Sequence, residues 1–133
     1  MIASFYAALL GLLFVFLSAY VIKGRFKYGV AIGDGGSQPM LQRIRMHANF
    51  AEYVPLALLL LFMVDSYRYS PALVHILGLT LVIARILHAY GLNASSGTSK
   101  GRVIGAALTL VVIAVCALLV VWRFTLMMLT TAL

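Results

Sequence analysis

The sequence has few charged residues and very few acidic ones. Only 10% of its 133 residues are charged, whereas about a quarter of the residues of a soluble domain are. It has three acidic residues and one cysteine, Cys116, so no intrachain disulfide can form. Cys116 lies within an apolar run, where we expect it to pack as a small apolar side chain rather than act as a catalytic thiol. These absences exclude an ordinary soluble domain and predict a membrane protein.

Long apolar runs make up most of the chain, which is 64% hydrophobic. A membrane-spanning helix needs about 20 residues, and four runs reach that length. They are roughly Ile2–Ile22, Leu41–Val64, Pro71–Gly91 and Val103–Trp122. Little sequence remains for a soluble domain. We therefore predict an all-α integral membrane protein, in which residues 1–133 form a single domain built as a four-transmembrane-helix bundle.

Basic residues are distributed unevenly among the connections of these helices, in a chain with a net charge of +7. Arg68 and Arg123 flank the second connection and the C-terminus. The first and third connections are flanked by Lys23, Arg25, Lys27, Arg43, Arg45, Lys100 and Arg102. The positive-inside rule then places those two connections in the cytoplasm and both termini outside it. This asymmetry explains the basicity without nucleic acid. The first run has no basic residue before it, which indicates a retained helix rather than a cleaved signal peptide.

Polar side chains cluster at the cytoplasmic end of the second predicted helix. At 100° per residue, Arg45, Asn49 and Glu52 lie within about 60° of one another on one face. His47 and Tyr53 lie off this stripe, where they could contact a neighbouring helix. Charged groups in a membrane helix are costly and persist mainly where they face a partner, a ligand or water. The stripe therefore predicts a functional site.

Two further helices bring polar groups to the same depth. Arg85 and His88 are three residues apart and share a face of the third helix, and Arg102 opens the fourth. We predict that these residues and the stripe line one cavity. In a purely structural alternative, Glu52 pairs with Arg85 and the other polar groups bind no ligand. This alternative does not explain the excess of cations among these residues.

The side chains favour a small anionic, peptide-like ligand. Guanidinium groups bind carboxylates, the Asn49 amide can form two hydrogen bonds with a peptide group, and Glu52 can accept an ammonium group. A metal is not expected, because Glu52, His47 and His88 have no recognised ligand spacing and the surrounding arginines repel a cation.

The polar strings resemble those of a known family, the membrane-associated proteins in eicosanoid and glutathione metabolism (MAPEG). The string Arg45-x-His47-x-Asn49-x-x-Glu52-Tyr53-x-Pro55 resembles the helix-two signature of that family. Ala84-Arg85-x-x-His88-x-x-Gly91 resembles its helix-three motif, and Arg102 with Gly105 and Thr109 its helix-four opening. The segment from Tyr28 to Gly36 is similar to a bacterial inner-membrane branch.

The resemblance implies a homotrimer in the inner membrane, with glutathione bound between neighbouring protomers near the cytoplasmic face. The implied glutathione-binding residues are Arg45, His47, Asn49, Glu52, Tyr53, Arg85 and His88. Arg102 would stabilise the glutathione thiolate, with Lys100 as an alternative for that role. Lys23 or Arg25 could add a contact to a carboxylate.

The implied activity is a glutathione transferase or peroxidase that acts on lipophilic electrophiles dissolved in membrane lipid. A non-catalytic lipid- or peptide-binding scaffold is the alternative, since some eicosanoid-forming members have a tyrosine where this chain has Leu92. A small proton-coupled exporter is less favoured. Its essential carboxylate would stand alone in the first helix, whereas Glu52 lies beside arginines in the second.

Overall fold

The computed structural model describes residues 1–94 and 99–131, and the regular structure in these ranges is entirely helical. The helices are α1 (Ile2–Tyr28), α2 (Gln38–Ser66), α3 (Pro71–Ala94) and α4 (Lys100–Thr131). Each is long and apolar enough to cross a membrane. At 1.5 Å per residue even α3 is about 36 Å long, more than the roughly 30 Å of a hydrocarbon core. The predicted all-α, four-helix membrane architecture is confirmed. Residues 95–98 of the predicted third connection and residues 132–133 of the predicted domain lie outside the described residues.

The helices extend beyond the apolar runs that predicted them. α1 continues past Ile22 through its basic residues and ends at Gly29, whose left-handed φ of 65° stops the helix. Arg25 in its last turn donates a hydrogen bond to the carbonyl of Ala31 (2.9 Å), which holds the following connection. α4 likewise continues past Trp122. The helices are longer than the apolar runs because apolar residues mark the part of a helix that lies in lipid, whereas the helix itself can continue into water.

α2 also begins earlier than predicted and is uninterrupted by proline. It starts at Gln38, with Pro39 in its first turn, where the missing N–H has no intrahelical partner in any case. Pro55 lies inside the helix, which continues to Ser66. The earlier start adds Gln38, Pro39 and Met40 to the cytoplasmic end predicted for α2.

The order of the helices in space places α2 and α3 at the centre. Each of them contacts every other helix, whereas α1 and α4 do not touch within the described ranges. The interior includes Leu10, Leu61, Leu81 and Val112, and Cys116 is buried among them as expected. Lipid is as apolar as these side chains, so close packing rather than the hydrophobic effect holds the helices together.

Candidate functional site

A polar cavity of about 200 Å³ opens at the end of the bundle where α2 begins, α3 ends and α4 begins. We call it the basic cavity. Three helices line it, with the residues Gln38, Leu41, Gln42, Arg45, Asn49, His88, Leu92 and Arg102. The structure therefore brings together residues that are up to 64 positions apart in the sequence.

Arg85 lies behind the basic cavity and is almost completely buried, with 2% of its surface exposed. One of its terminal nitrogens donates to the side-chain oxygen of Asn49 (2.6 Å), and the other donates to the hydroxyl of Thr109 (3.3 Å). Its Nε has no hydrogen-bond partner among the described residues. The structure does not show the alternative ion pair between Glu52 and Arg85. The Arg85 guanidinium donates its hydrogen bonds to an amide oxygen and a hydroxyl instead.

This buried guanidinium fixes the orientation of Asn49. A carbonyl oxygen that faces Arg85 leaves the amide NH₂ group free to donate elsewhere. Arg85 also lies over the ring of Phe50, with 5.7 Å between the guanidinium carbon and the ring centroid. Arg85 thus supports the cavity wall and adds positive charge behind it.

His88 lines the basic cavity from α3 and is 3% exposed. Its Nδ1 lies 3.0 Å from the backbone carbonyl of Arg102. A carbonyl can only accept, so Nδ1 carries the proton, and in the neutral form of the ring Nε2 is an acceptor. The hydrogen bond also joins α3 to the first turn of α4.

Two glycines allow α3 and α4 to approach closely at this point. A Cβ on Gly105 would lie 2.5 Å from the carbonyl oxygen of Ala84 and 2.6 Å from the amide nitrogen of His88. A Cβ on Gly91 would overlap the backbone of Arg102. Both distances are well inside van der Waals contact. Glycine at these positions therefore brings Arg102 next to His88.

Ser99 positions Arg102 from the other side by capping α4. Its hydroxyl accepts a hydrogen bond from the Arg102 N–H (3.3 Å) and donates to the carbonyl of Gly91 (2.9 Å). The first turn of α4 is thereby fixed to the end of α3. The side chain of Arg102 is exposed and lines the basic cavity, whereas Lys100 is not among its lining residues.

The first turns of α2 supply the remaining wall. Gln38, Gln42, Arg45 and Asn49 follow one another at spacings of four, three and four residues, which places them on one helix face. Sequence reasoning missed Gln38 because it started the helix at Leu41, and it left out Gln42 although that residue lies within the predicted helix. The same spacing rule, extended toward the N-terminus, would have found them.

Four predicted site residues do not line the basic cavity: Arg85, which lies behind it, and His47, Glu52 and Tyr53. His47 faces α1, where its Nε2 lies 3.0 Å from the Ser18 hydroxyl and its ring packs against Phe14 at a centroid distance of 4.8 Å. Glu52 is exposed on the outside of the protomer, and Tyr53 is half-buried.

The electrostatics of the basic cavity favour an anion. Arg45 and Arg102 contribute guanidinium groups, and no carboxylate is found among the described residues that line it. The N-terminus of α4 adds the positive end of a helix dipole. Amide groups and the His88 Nε2 offer hydrogen bonds, so the wall can bind carboxylates, peptide groups or a thiolate.

Comparison with known proteins agrees with the membrane architecture. A family model described as "MAPEG family" matches residues 3–131. The chain is similar to the inner membrane protein YecN of Escherichia coli K12, with 37% identity over 93 residues, which cover 70% of this chain and 71% of that protein. YecN of Escherichia coli O6:H1 shows the same identity over the same coverage. Together with the four apolar helices, these similarities identify an integral membrane protein.

Proposed function

The chain belongs to the MAPEG family, and on that basis we propose that the basic cavity binds glutathione. The family includes glutathione transferases and peroxidases. The observation that carries the proposal is the convergence of Arg45, Asn49, His88 and Arg102 on one cavity whose described lining contains no carboxylate. The family resemblance predicted from the sequence is confirmed.

The chemistry of glutathione matches this wall. The tripeptide has two carboxylates, two peptide groups, one ammonium group and a thiol. A guanidinium binds a carboxylate through two parallel hydrogen bonds. Gln38, Gln42 and the free NH₂ group of Asn49 can donate to, or accept from, the peptide groups. Arg45, at the open side of the cavity, is suited to a carboxylate.

Arg102 is suited to the thiol because it lies in the first turn of α4, where the helix dipole adds to its charge. A neighbouring cation lowers the pKa of a thiol from about 8.5 toward neutrality, and the thiolate is the nucleophile. In a conjugation the thiolate sulfur forms a bond to an electrophilic carbon, and the leaving group departs with its electron pair. Such a reaction needs little beyond positioning and stabilisation of the thiolate.

The electrophile would be a lipophilic compound that reaches the cavity from the bilayer. We place the protein in a bacterial inner membrane, as the name of the similar Escherichia coli protein suggests. Both termini would lie outside the cytoplasm, as the distribution of basic residues predicts. The basic cavity would then face the cytoplasm, which supplies glutathione.

We further propose that the protein is a homotrimer in which a neighbouring protomer completes the glutathione site. At about 200 Å³, the basic cavity is smaller than the roughly 300–1,000 Å³ of ligand pockets. Arg45 and Glu52 are exposed on the surface of the protomer. A charged side chain exposed at a membrane helix calls for a partner, and an adjacent protomer would supply one. His47, on the α1 side of α2, would then approach the ligand of the neighbouring site.

Calorimetric titration of the detergent-solubilised protein with glutathione tests the proposal. A hydrogen bond to a charged group contributes about 1.5–3 kcal/mol, which corresponds to about ten- to hundredfold in affinity. Arg45→Ala and Arg102→Ala should each weaken glutathione binding by that factor. Lys100→Ala, which removes an exposed cation two residues from Arg102, should leave binding unchanged. Equal effects of all three substitutions, or no binding by the wild type, would contradict the proposal.

A non-catalytic scaffold is the second candidate, and Leu92 is the observation that favours it. Its side chain lines the basic cavity, at the position where some eicosanoid-forming members have a tyrosine hydroxyl. Glutathione binding without conjugation or peroxidase turnover of any lipophilic electrophile would support this candidate. Conjugation of a chlorinated aromatic compound by the wild type, lost in Arg102→Ala, would exclude it.

A further inference from the structure

A second polar cavity, of about 210 Å³, lies at the opposite end of the bundle from the basic cavity. We call it the distal cavity. It is formed between the α2–α3 connection and α4, and its walls are Tyr67, Arg68, Tyr69, Trp122, Arg123 and Leu126. None of these residues takes part in the proposed glutathione site, so the distal cavity calls for a separate explanation.

The distal cavity has two arginines and no carboxylate among its described lining residues. The chain has only three acidic residues. Asp34 lies in the first connection, at the other end of the bundle, and Glu52 lies within α2. Asp65 accepts a hydrogen bond from a backbone N–H in the first turn of α1 (2.9 Å). Two guanidinium groups on one cavity repel each other unless an anion lies between them.

The backbone at Arg68 adds a second observation. Arg68 has a φ of 57°, and it is the single non-glycine residue with positive φ in the described ranges. A helix more commonly ends on glycine in this conformation, because a side chain is strained there. Such strain persists where the surrounding structure over-determines the position, often at ligand sites. Here the residue in the strained conformation is an arginine that lines a cavity.

A hydrogen bond fastens the α2–α3 connection to α4. The Tyr69 hydroxyl donates to the backbone carbonyl of Leu119 (2.9 Å). This contact holds Arg68, on the connection, over the stretch of α4 that carries Trp122 and Arg123. The two arginines are therefore placed by the fold on a common wall, even though their side chains are exposed.

The depth of the distal cavity in the membrane indicates which anion can bind there. Trp and Tyr side chains concentrate at the membrane–water interface, at the level of the lipid headgroups, and Tyr67, Tyr69 and Trp122 surround this cavity. A guanidinium fork matches the oxygens of a phosphate group. We propose that the distal cavity binds the phosphate group of an anionic phospholipid headgroup, with Arg68 and Arg123 as its two ligands.

The volume agrees with that assignment. A water molecule takes up about 30 Å³ of liquid, so a cavity of about 210 Å³ has room for a phosphate and part of its ester. Leu126 supplies an apolar wall for the glycerol region of the lipid.

The test is binding of a fluorescently labelled phosphatidylglycerol to the full-length protein in phosphatidylcholine nanodiscs. Arg68→Gln and Arg123→Gln should each weaken lipid binding about tenfold, equivalent to about 1.4 kcal/mol. If both arginines hold one phosphate, the double variant should lose less than the product of the two effects, because residues that share a partner are not additive. Arg123→Lys should show a partial loss, since it keeps the charge but not the fork.

Lys27→Gln is the matched control, because it removes an exposed cation at the opposite end of the protein. It should leave phosphatidylglycerol binding unchanged, and all variants should keep the wild-type unfolding midpoint in neutral detergent. An equal loss with Lys27→Gln, or additive losses from the two arginine substitutions, would indicate diffuse attraction and overturn the site. Inorganic phosphate is the second arm. Displacement of the labelled lipid by millimolar phosphate would assign the cavity to soluble phosphate and overturn the lipid headgroup as its ligand.

Discussion

The contact between α3 and α4 at Gly105 can be tested by adding one methyl group. A Cβ at this position would lie 2.5 Å from the carbonyl oxygen of Ala84, 2.6 Å from the amide nitrogen of His88 and 2.8 Å from its Cβ. Optimal contacts between such atoms lie near 3.5–4.0 Å. The atoms concerned belong to the backbone or are fixed to it, so no rotamer change can relieve the overlap. In Gly105→Ala the two helices must therefore separate locally by about 1 Å.

The expected effect on stability is small, because two contributions oppose each other. Overpacking costs about 1–3 kcal/mol, and alanine favours a helix over glycine by about 1 kcal/mol. The net loss should be about 0–2 kcal/mol. The effect on activity should be larger, because the same movement separates His88 from the Arg102 carbonyl, to which it is hydrogen-bonded at 3.0 Å. A misplacement of about 1 Å can reduce a rate about a hundredfold, so the conjugation rate should fall by about that factor.

Gly11→Ala is the matched control, since it adds the same methyl group to a membrane helix with nothing within 4 Å of it. It should keep the wild-type conjugation rate and be neutral or more stable by up to about 1 kcal/mol. The assays are unfolding by denaturing detergent, followed by circular dichroism, and initial rates of glutathione conjugation. If Gly105→Ala behaved like Gly11→Ala in both assays, the account of how α3 and α4 position Arg102 would be refuted.

Three further substitutions test other contacts by the same unfolding assay. Asn49→Leu removes the acceptor of the buried Arg85 (2.6 Å), so it should destabilise the protein by about 1.5–3 kcal/mol and weaken glutathione binding; an unchanged midpoint would argue against this hydrogen bond. Ser99→Ala removes the cap of α4 and should lower stability by about 1 kcal/mol, whereas a stabilised variant would be unexpected. Asp65→Asn keeps an acceptor for the Ala3 N–H but removes a charge near the N-terminus of α1. We expect a loss of about 0.3–1 kcal/mol that diminishes at high salt, and salt independence would contradict the electrostatic explanation.

The sequence was sufficient to predict the four spans, because hydrophobic length alone determines what can cross a membrane. From the sequence we also predicted that Arg45, Asn49, His88 and Arg102 lie at one depth in the membrane, and the structure places all four on one cavity. That success depended on the order of the helices, which alternate in direction when their connections are short.

Helix periodicity could not predict which residues of different helices contact each other. Glu52 shares a helix face with Arg45 and Asn49 to within about 60°, yet it is exposed while the Asn49 oxygen faces Arg85. Periodicity gives the angle of a side chain about its own helix but does not say where the next helix lies. The same limitation made Arg85 and Glu52 a plausible pair, although Asn49 and Thr109 occupy the guanidinium.

The helix ends were missed for a different reason. Gln38 begins α2 before the apolar run, and the criterion of hydrophobicity cannot detect a polar residue at a helix end. Gly91 and Gly105 carried a signal in the sequence, but a close approach of two helices becomes visible only when the opposing backbone is known.

The proposed ionisation by Arg102 of a thiol bound in the basic cavity is measured directly by the ultraviolet absorbance of the glutathione thiolate. At neutral pH, saturating the wild-type protein and Lys100→Ala with glutathione should produce the thiolate band, whereas Arg102→Ala at saturation should not. A thiolate band of equal size in Arg102→Ala, or its absence from the glutathione-saturated wild type, would contradict the account.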